Sequence, residues 1–165
     1  MRSEKQLEAL GKRLARKILR FRRSRSTTHH SLSTVFALSG ELGAGKTTFL
    51  RGFARGLGVK TRITSPTFVL ARRHRLPRKI PSTIYQLPST NYFWHIDAYR
   101  LRNERDLASI DFQEIISDPH TIVAIEWADR VRKAIPRRAV WITFTHHKNG
   151  RKVFLKDKFP ISKLQ

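Results

Sequence analysis

Thr34-Val35-Phe36-Ala37-Leu38-Ser39, followed by Gly40-Glu41-Leu42-Gly43-Ala44-Gly45-Lys46-Thr47, is the stretch that decides the fold. The first part is apolar and rich in strand formers, which predicts a buried strand. The second fits Gly-x-x-x-x-Gly-Lys-Thr. A helix is expected from about Lys46 to Leu57, with Gly58 as its stop. A strand, a glycine loop and a helix in that order give the pattern its meaning. The glycines let backbone N–H groups turn inward around phosphate oxygens. The helix N-terminus faces the same anion with partial positive charge. Lys46 reaches the β- and γ-phosphates, and the Thr47 hydroxyl supplies a ligand to Mg²⁺. Gly40, Glu41, Leu42, Gly43, Ala44, Gly45, Lys46 and Thr47 are therefore the expected binding loop for ATP, or a closely related triphosphate, with Mg²⁺.

Mg²⁺ beside phosphates keeps several waters and takes one or two protein carboxylates. Two candidates stand at strand ends. Glu126 closes the continuous apolar run Thr121-Ile122-Val123-Ala124-Ile125, and Asp97 lies in Phe93-Trp94-His95-Ile96-Asp97-Ala98-Tyr99. On an open α/β sheet, ligands collect at the carboxyl ends of strands. A carboxylate at the end of a buried strand is costly unless it is paired or bound to metal. Asp97 and Glu126 are expected to hold Mg²⁺ or to position the attacking water, and the residues leave that division open. A surface ion pair with a nearby Arg is the competing reading. Thr64-Ser65-Pro66-Thr67-Phe68 follows the helix, where other proteins with this loop place a segment that senses the γ-phosphate. An ordinary proline turn explains that segment equally well.

Outward from this centre, Ser3-Glu4-Lys5-Gln6 reads as a capping box opening a helix. Leu7, Leu10, Leu14, Ile18 and Phe21 recur at helical spacing, with basic residues on the other faces. A helix over 1–23 is expected to pack by its leucine stripe. Residues 24–33 read as a polar linker. Thr67 to Arg72 reads as a strand, and 73–91, with Pro77, Pro81 and Pro88, as an exposed basic loop. Further expectations are a strand from Tyr92 to Tyr99 and a helix over 104–117, with Leu107, Ile110, Ile115 and Ile116 inward. A short helix is expected near 128–134. Strands from Ala139 to His146 and Arg151 to Lys156 form a hairpin around Asn149-Gly150. The 165 residues suit one α/β domain over 1–165.

The chain carries 34 basic and 12 acidic residues, a formal charge of +22. Residues 97–129 nevertheless hold eight of the twelve acids, so an acidic centre sits inside a basic frame. Such a frame attracts a polyanion, with RNA the first candidate. There is no Cys, so disulfides and thiolate zinc sites are excluded. That fits a reducing, cytoplasmic setting. No apolar run approaches the ~20 residues of a membrane helix, and the N-terminus lacks the apolar core of a secretory signal. The pairs His29-His30 and His146-His147 are poor metal candidates, because neighbours on a strand point to opposite faces.

Taken together, four blocks resemble the TsaE family, the small bacterial ATPases of tRNA threonylcarbamoyladenosine synthesis. They are Leu38 to Thr48, Thr64-Ser65-Pro66-Thr67-Phe68, His95-Ile96-Asp97-Ala98-Tyr99-Arg100-Leu101 and Ile125-Glu126-Trp127-Ala128-Asp129. The resemblance implies a single domain with a mixed, partly antiparallel sheet between helices, and weak intrinsic ATP hydrolysis. It implies work in a complex with the proteins TsaD and TsaB, where TsaD transfers threonylcarbamoyl to tRNA and hydrolysis resets the complex. It places Thr48 and Thr67 near the phosphates and Trp127 close to the nucleotide, with core packing the other reading of Trp127. Lys46, Asp97 and Glu126 carry over as the catalytic set. The chain departs from the family in a longer, more basic 73–91, in the lack of Gly within 107–112, and in its basic excess.

Two other classes stay open on these residues. One is a small-molecule or nucleoside kinase, with Arg72, Arg73, Arg75, Arg78 and Lys79 as a mobile lid. The other is a basic RNA-binding module without catalysis.

Overall fold

A computed structural model describes residues 3–24, 33–65, 69–77, 91–148 and 150–156. Within them the chain forms α1 (Glu4–Ser24), β1 (Thr34–Gly40), α2 (Lys46–Gly56), β2 (Ala71–Arg75) and β3 (Tyr92–Asp97). A 3₁₀ helix (Glu104–Ile110) and α3 (Phe112–Ser117) follow, then β4 (Thr121–Glu126) and a second 3₁₀ helix (Ala128–Ala134). β5 (Val140–His147) and β6 (Gly150–Lys156) complete it. The strands make one sheet in the order β2-β3-β4-β1-β5-β6. β3, β4, β1 and β5 run parallel, and β2 and β6 are antiparallel edges. This is the expected α/β architecture with a mixed sheet and a C-terminal hairpin.

The continuous apolar runs have a plain cause. A central parallel strand is covered on both faces, and all of β4 is buried. Alternation sends Phe36, Leu38, Phe93, Ile122, Ala124 and Phe144 to the face under α1 and α2. Val35, Ala37, Ile96, Val123 and Ile125 go to the other face, under α3 and the 3₁₀ helices. The parallel register sets Glu126 between Leu38 and Asp97, so both acids reach the end of the sheet where β1 enters its glycine loop.

α1 packs by its apolar stripe, with Leu7, Leu14 and Ile18 buried. Ser3 and Gln6 form the expected reciprocal cap, each backbone N–H donating to the other's side-chain oxygen at 3.3 Å. Glycines let α1 and α2 touch backbone to backbone. A Cβ on Gly52 would lie 1.9 Å from the Glu8 carbonyl oxygen, and one on Gly11 would lie 2.2 Å from that of Phe49.

Four expectations are corrected. The helix expected over 104–117 is two pieces, because Asp111 adopts φ 51 between them. Asp tolerates that left-handed region better than most residues. Leu107, Ile115 and Ile116 are buried as expected, and Ile110 is half-buried. The strand expected from Thr67 to Arg72 instead spans Ala71–Arg75, taking in the start of the expected 73–91 loop. Pairing with β3, Ala71 opposite Ile96 through Arg75 opposite Tyr92, holds it there despite its charges. β3 itself ends at Asp97, not Tyr99. The segment near 128–134 is 3₁₀, with Val131 off helical geometry. The linker at 25–32, Thr67, the basic residues Arg78 and Lys79, and Asn149 lie outside the described residues.

Candidate nucleotide and metal site

The loop after β1 is shaped by glycines where nothing larger fits. Gly40 has φ 133, and a Cβ there would lie 2.2 Å from the Phe144 carbonyl oxygen. Gly45 caps α2 at φ 101. No side chain caps α2, and its first turn carries no acid. The free N–H groups of that turn and the helix dipole are therefore left to an anion. Thr48 and Lys46 are buried in this first turn, and Ala44 anchors the loop in the core. Leu42 is exposed at the tip of the loop.

Lys46 is held over the loop. Its Nζ donates to the carbonyls of Gly40 at 2.6 Å and Glu41 at 2.8 Å, and lies 3.6 Å from the centre of the Trp127 ring. Burial pushes its pKa below the usual lysine range, opposed by the carboxylates of Glu126, Asp129 and Asp97. The ammonium is thus poorly hydrated, which strengthens its attraction for a phosphate.

Glu126 is 2% exposed and fully engaged by hydrogen bonds. The Thr47 hydroxyl lies 2.8 Å from Oε2 and 3.0 Å from Oε1. His95 Nε2 lies 2.8 Å from Oε1 on the other side. A carboxylate only accepts, so His95 donates from Nε2. His95 is wholly buried, and its Nδ1 meets no partner among the described residues. Asp97, 3% exposed, accepts from the Ser65 hydroxyl and, at 3.0 Å, from the Tyr99 backbone N–H. The competing reading of Glu126 as half of a surface ion pair with Arg is not met. The acid is buried against Thr47 and His95.

Trp127 follows Glu126 with φ 57. Its ring lies 5.1 Å from that of Tyr99, and the Arg130 guanidinium carbon lies 5.9 Å from it. The ring is half-buried, packed on the core at one side and set against Lys46 at the other. Core packing is met, and the other side of the ring is turned toward the loop lysine.

These groups converge on a cleft of about 470 Å³. Gly43, Gly45, Lys46, Thr47 and Thr48 form one wall; Asp97, Glu126 and Trp127 face them. Of the residues expected at the site, Gly40, Glu41 and Ala44 shape the loop without lining the cleft, and Thr67 lies outside the described residues. His146 Nε2 lies 3.2 Å from the Leu42 carbonyl oxygen. The hydroxyl of Thr47 and the carboxylates of Asp97 and Glu126 are hard oxygen donors, which fits Mg²⁺. Among the described residues, no three His, Cys, Asp or Glu side chains gather as a metal site of their own.

Sequence reasoning missed His95, Ser65 and Tyr99 as parts of this arrangement. The signal for His95 was its place two residues before Asp97. Period two on a strand puts both on one face.

A family model described as threonylcarbamoyl adenosine biosynthesis protein TsaE matches residues 1–153. The tRNA threonylcarbamoyladenosine biosynthesis protein TsaE of Streptomyces coelicolor is 38% identical over 124 residues, covering 74% of this chain and 68% of that protein. The protein of the same description from Mycobacterium tuberculosis is 41% identical over 108 residues, 63% of this chain and 59% of its own length. That from Borreliella burgdorferi is 33% identical over 125 residues, 75% of this chain and 82% of its own. The crystal structure of Bacillus subtilis YdiB matches 99% of this chain and 87% of that one, with a TM-score of 0.62 at 20% identity, a likeness of fold.

Proposed function

The chain belongs to the TsaE family, and from that premise we propose a Mg²⁺-dependent ATPase subunit for tRNA threonylcarbamoyladenosine synthesis. In this reading its hydrolysis of ATP drives or resets a transferase formed by TsaD and TsaB in the cytoplasm, and tRNA is met through that complex. Among the described residues, no helix is long and apolar enough to cross a membrane. One observation carries the catalytic part. Two buried carboxylates and the Thr47 hydroxyl meet at the strand ends facing an uncapped helix N-terminus.

Each residue then has a task. Backbone N–H groups from Gly43 to Thr47 cradle the phosphates. Lys46 exchanges its carbonyl partners, Gly40 and Glu41, for β- and γ-phosphate oxygens. Thr47 and Glu126 would hold Mg²⁺, which when bound would neutralise charge on the phosphates. His95 fixes the Glu126 carboxylate from the side away from Thr47. Asp97, held by Ser65 and the Tyr99 N–H, completes the metal shell through water or orients the attacking water. Trp127 and Tyr99 wall the cleft.

Phosphate release should be slow for the isolated protein and faster once TsaD and TsaB are added, and should respond again to tRNA. A transferase pair active with its own ATPase, yet giving no stimulation here, overturns the reading. Appearance of a phosphorylated acceptor in place of free phosphate would make the protein a kinase.

A further inference from the structure

A second charged region lies apart from the nucleotide cleft and shares no lining residue with it. Past the end of α2 the chain forms a groove of about 430 Å³ lined by Arg51, Arg55, Lys60 and Arg62. A neighbouring groove of about 550 Å³ is lined by Lys60, Arg73, His74 and Arg75. The two share Val59, Lys60 and Thr61, so they form one continuous trough that runs onto the edge strand β2. The Thr61 hydroxyl, 3.2 Å from His74 Nδ1, ties its two halves together.

Charge in this trough is nearly unopposed. Its one carboxylate, Glu8, is engaged by Arg55 at 2.5 Å. Lys60, Arg62, Arg73 and Arg75 are exposed. The Arg73 guanidinium lies 4.8 Å from the Tyr92 ring and 5.7 Å from the Trp94 ring, where β2 turns toward the other face of the sheet. On the opposite face of the sheet, Glu104, Asp111 and Glu114 line a groove beside α3 together with Arg105. A basic surface with so little opposing charge attracts a polyanion.

We infer that the trough between the end of α2 and β2 is a direct RNA-binding surface, in which Arg51, Lys60, Arg62 and Arg75 grip successive phosphates. Guanidinium forks match phosphate oxygens in pairs, as ammonium groups do not. The choice of RNA rests also on the proposed role in tRNA modification. It goes beyond that role, since the RNA is met by this subunit itself rather than only through a complex.

The test is binding of labelled unmodified tRNA to the full chain without nucleotide or partners, measured across a salt series. The combined variant Lys60→Ala, Arg62→Ala, Arg75→Ala should bind at least about tenfold more weakly, and its log–log salt slope should fall by roughly two. The control Arg102→Ala, Arg105→Ala, Lys133→Ala removes equal charge from the other face and should bind tRNA as the parent does. Lys60→Glu alone serves if the triple variant melts early. Nucleotide binding, followed through Trp127 fluorescence, should be unchanged in all of them. Undiminished affinity in both groove variants overturns the inference, as does equal loss in the control. So does competition by poly-glutamate as effective as tRNA at equal charge. A protein with no ATPase activity that still bound tRNA through this trough would separate the two proposals.

Discussion

Strands β1 and β4 lie side by side, with Leu38 opposite Glu126 where β4 ends and β1 running two residues further to Gly40, yet they turn away with opposite kinds of residue. β1 leads through a glycine loop to Gly45, which caps α2 at φ 101. β4 turns within one residue, Trp127, which caps a 3₁₀ helix at φ 57. For an L residue with a side chain, the left-handed region costs roughly 1–2 kcal/mol. The loop avoids that cost by using glycine, which under the proposed function leaves its backbone N–H groups open to the phosphates. The β4 turn accepts it because a side chain is needed there. The indole must lie over Lys46 and beside Tyr99. Backbone recognition and side-chain recognition thus meet in one cleft, each with the residue type its chemistry requires.

The sharpest break in that comparison comes from its charged groups. Lys46→Ala should abolish measurable nucleotide binding. Glu126→Ala and Asp97→Ala should each lower Mg²⁺-dependent hydrolysis by at least about 10²-fold, near 2.7 kcal/mol of transition-state stabilisation. Phosphate release at saturating ATP and Mg²⁺ measures this, and a near-normal rate removes that residue from the site.

Next comes the loop. Gly45→Ala meets two penalties, the left-handed φ and a Cβ 2.5 Å from Leu7 Cδ1. A loss of about 2 kcal/mol in urea unfolding is expected. Gly43→Ala is the control, with φ 75 and nothing nearer than His146 at 4.0 Å. It should lose about 1 kcal/mol, from the backbone alone. Equal losses would mean that α1 does not press on the loop in solution.

His95 gives a smaller effect that separates position from packing. Gln can place an amide N–H near Nε2, whereas Leu cannot. His95→Leu should raise the Mg²⁺ concentration for half-maximal nucleotide binding about tenfold, as loss of a group behind a ligand does. His95→Gln should restore most of it. Leucine relieves the partnerless Nδ1 but strips the buried Glu126 of a donor, so His95→Leu should lose about 1–3 kcal/mol of stability and His95→Gln should return most of it. A loss that Gln does not return would make the histidine a packing residue instead.

What could be read in advance divides along the same line. The glycine loop was legible because backbone recognition is written in local residue types and spacing. Asp97 and Glu126 were legible because each ends an apolar run, and a buried strand must end somewhere polar. His95 was not, since its partner lies on the neighbouring strand and only the register of β3 against β4 joins them. β2 was misplaced because an edge strand of Ala-Arg-Arg-His-Arg has no apolar alternation to find. The helix break at Asp111 was hidden because the apolar spacing runs through it. Gly11, Gly52 and Gly56 carry no signal in the sequence, and only the crossing of α1 on α2 reveals them as contacts.

The smallest effect tests the β4 turn itself. Trp127→Ala and Trp127→Gly both remove the indole, and with it the contacts to Lys46 and Tyr99. They differ only in what the backbone must bear. Alanine still carries a Cβ at φ 57, whereas glycine adopts that region without strain. Against this, glycine adds freedom to the unfolded chain, which offsets part of the relief. The two terms leave Trp127→Gly more stable than Trp127→Ala by about 0.5–1 kcal/mol, read from paired urea midpoints. Both should bind nucleotide equally poorly, because the lost ring is common to them. Alanine as stable as glycine would mean that the turn relaxes once the ring is gone. The indole itself would then hold the backbone left-handed, and the strain after Glu126 would be a consequence of Trp127 packing rather than a condition for it.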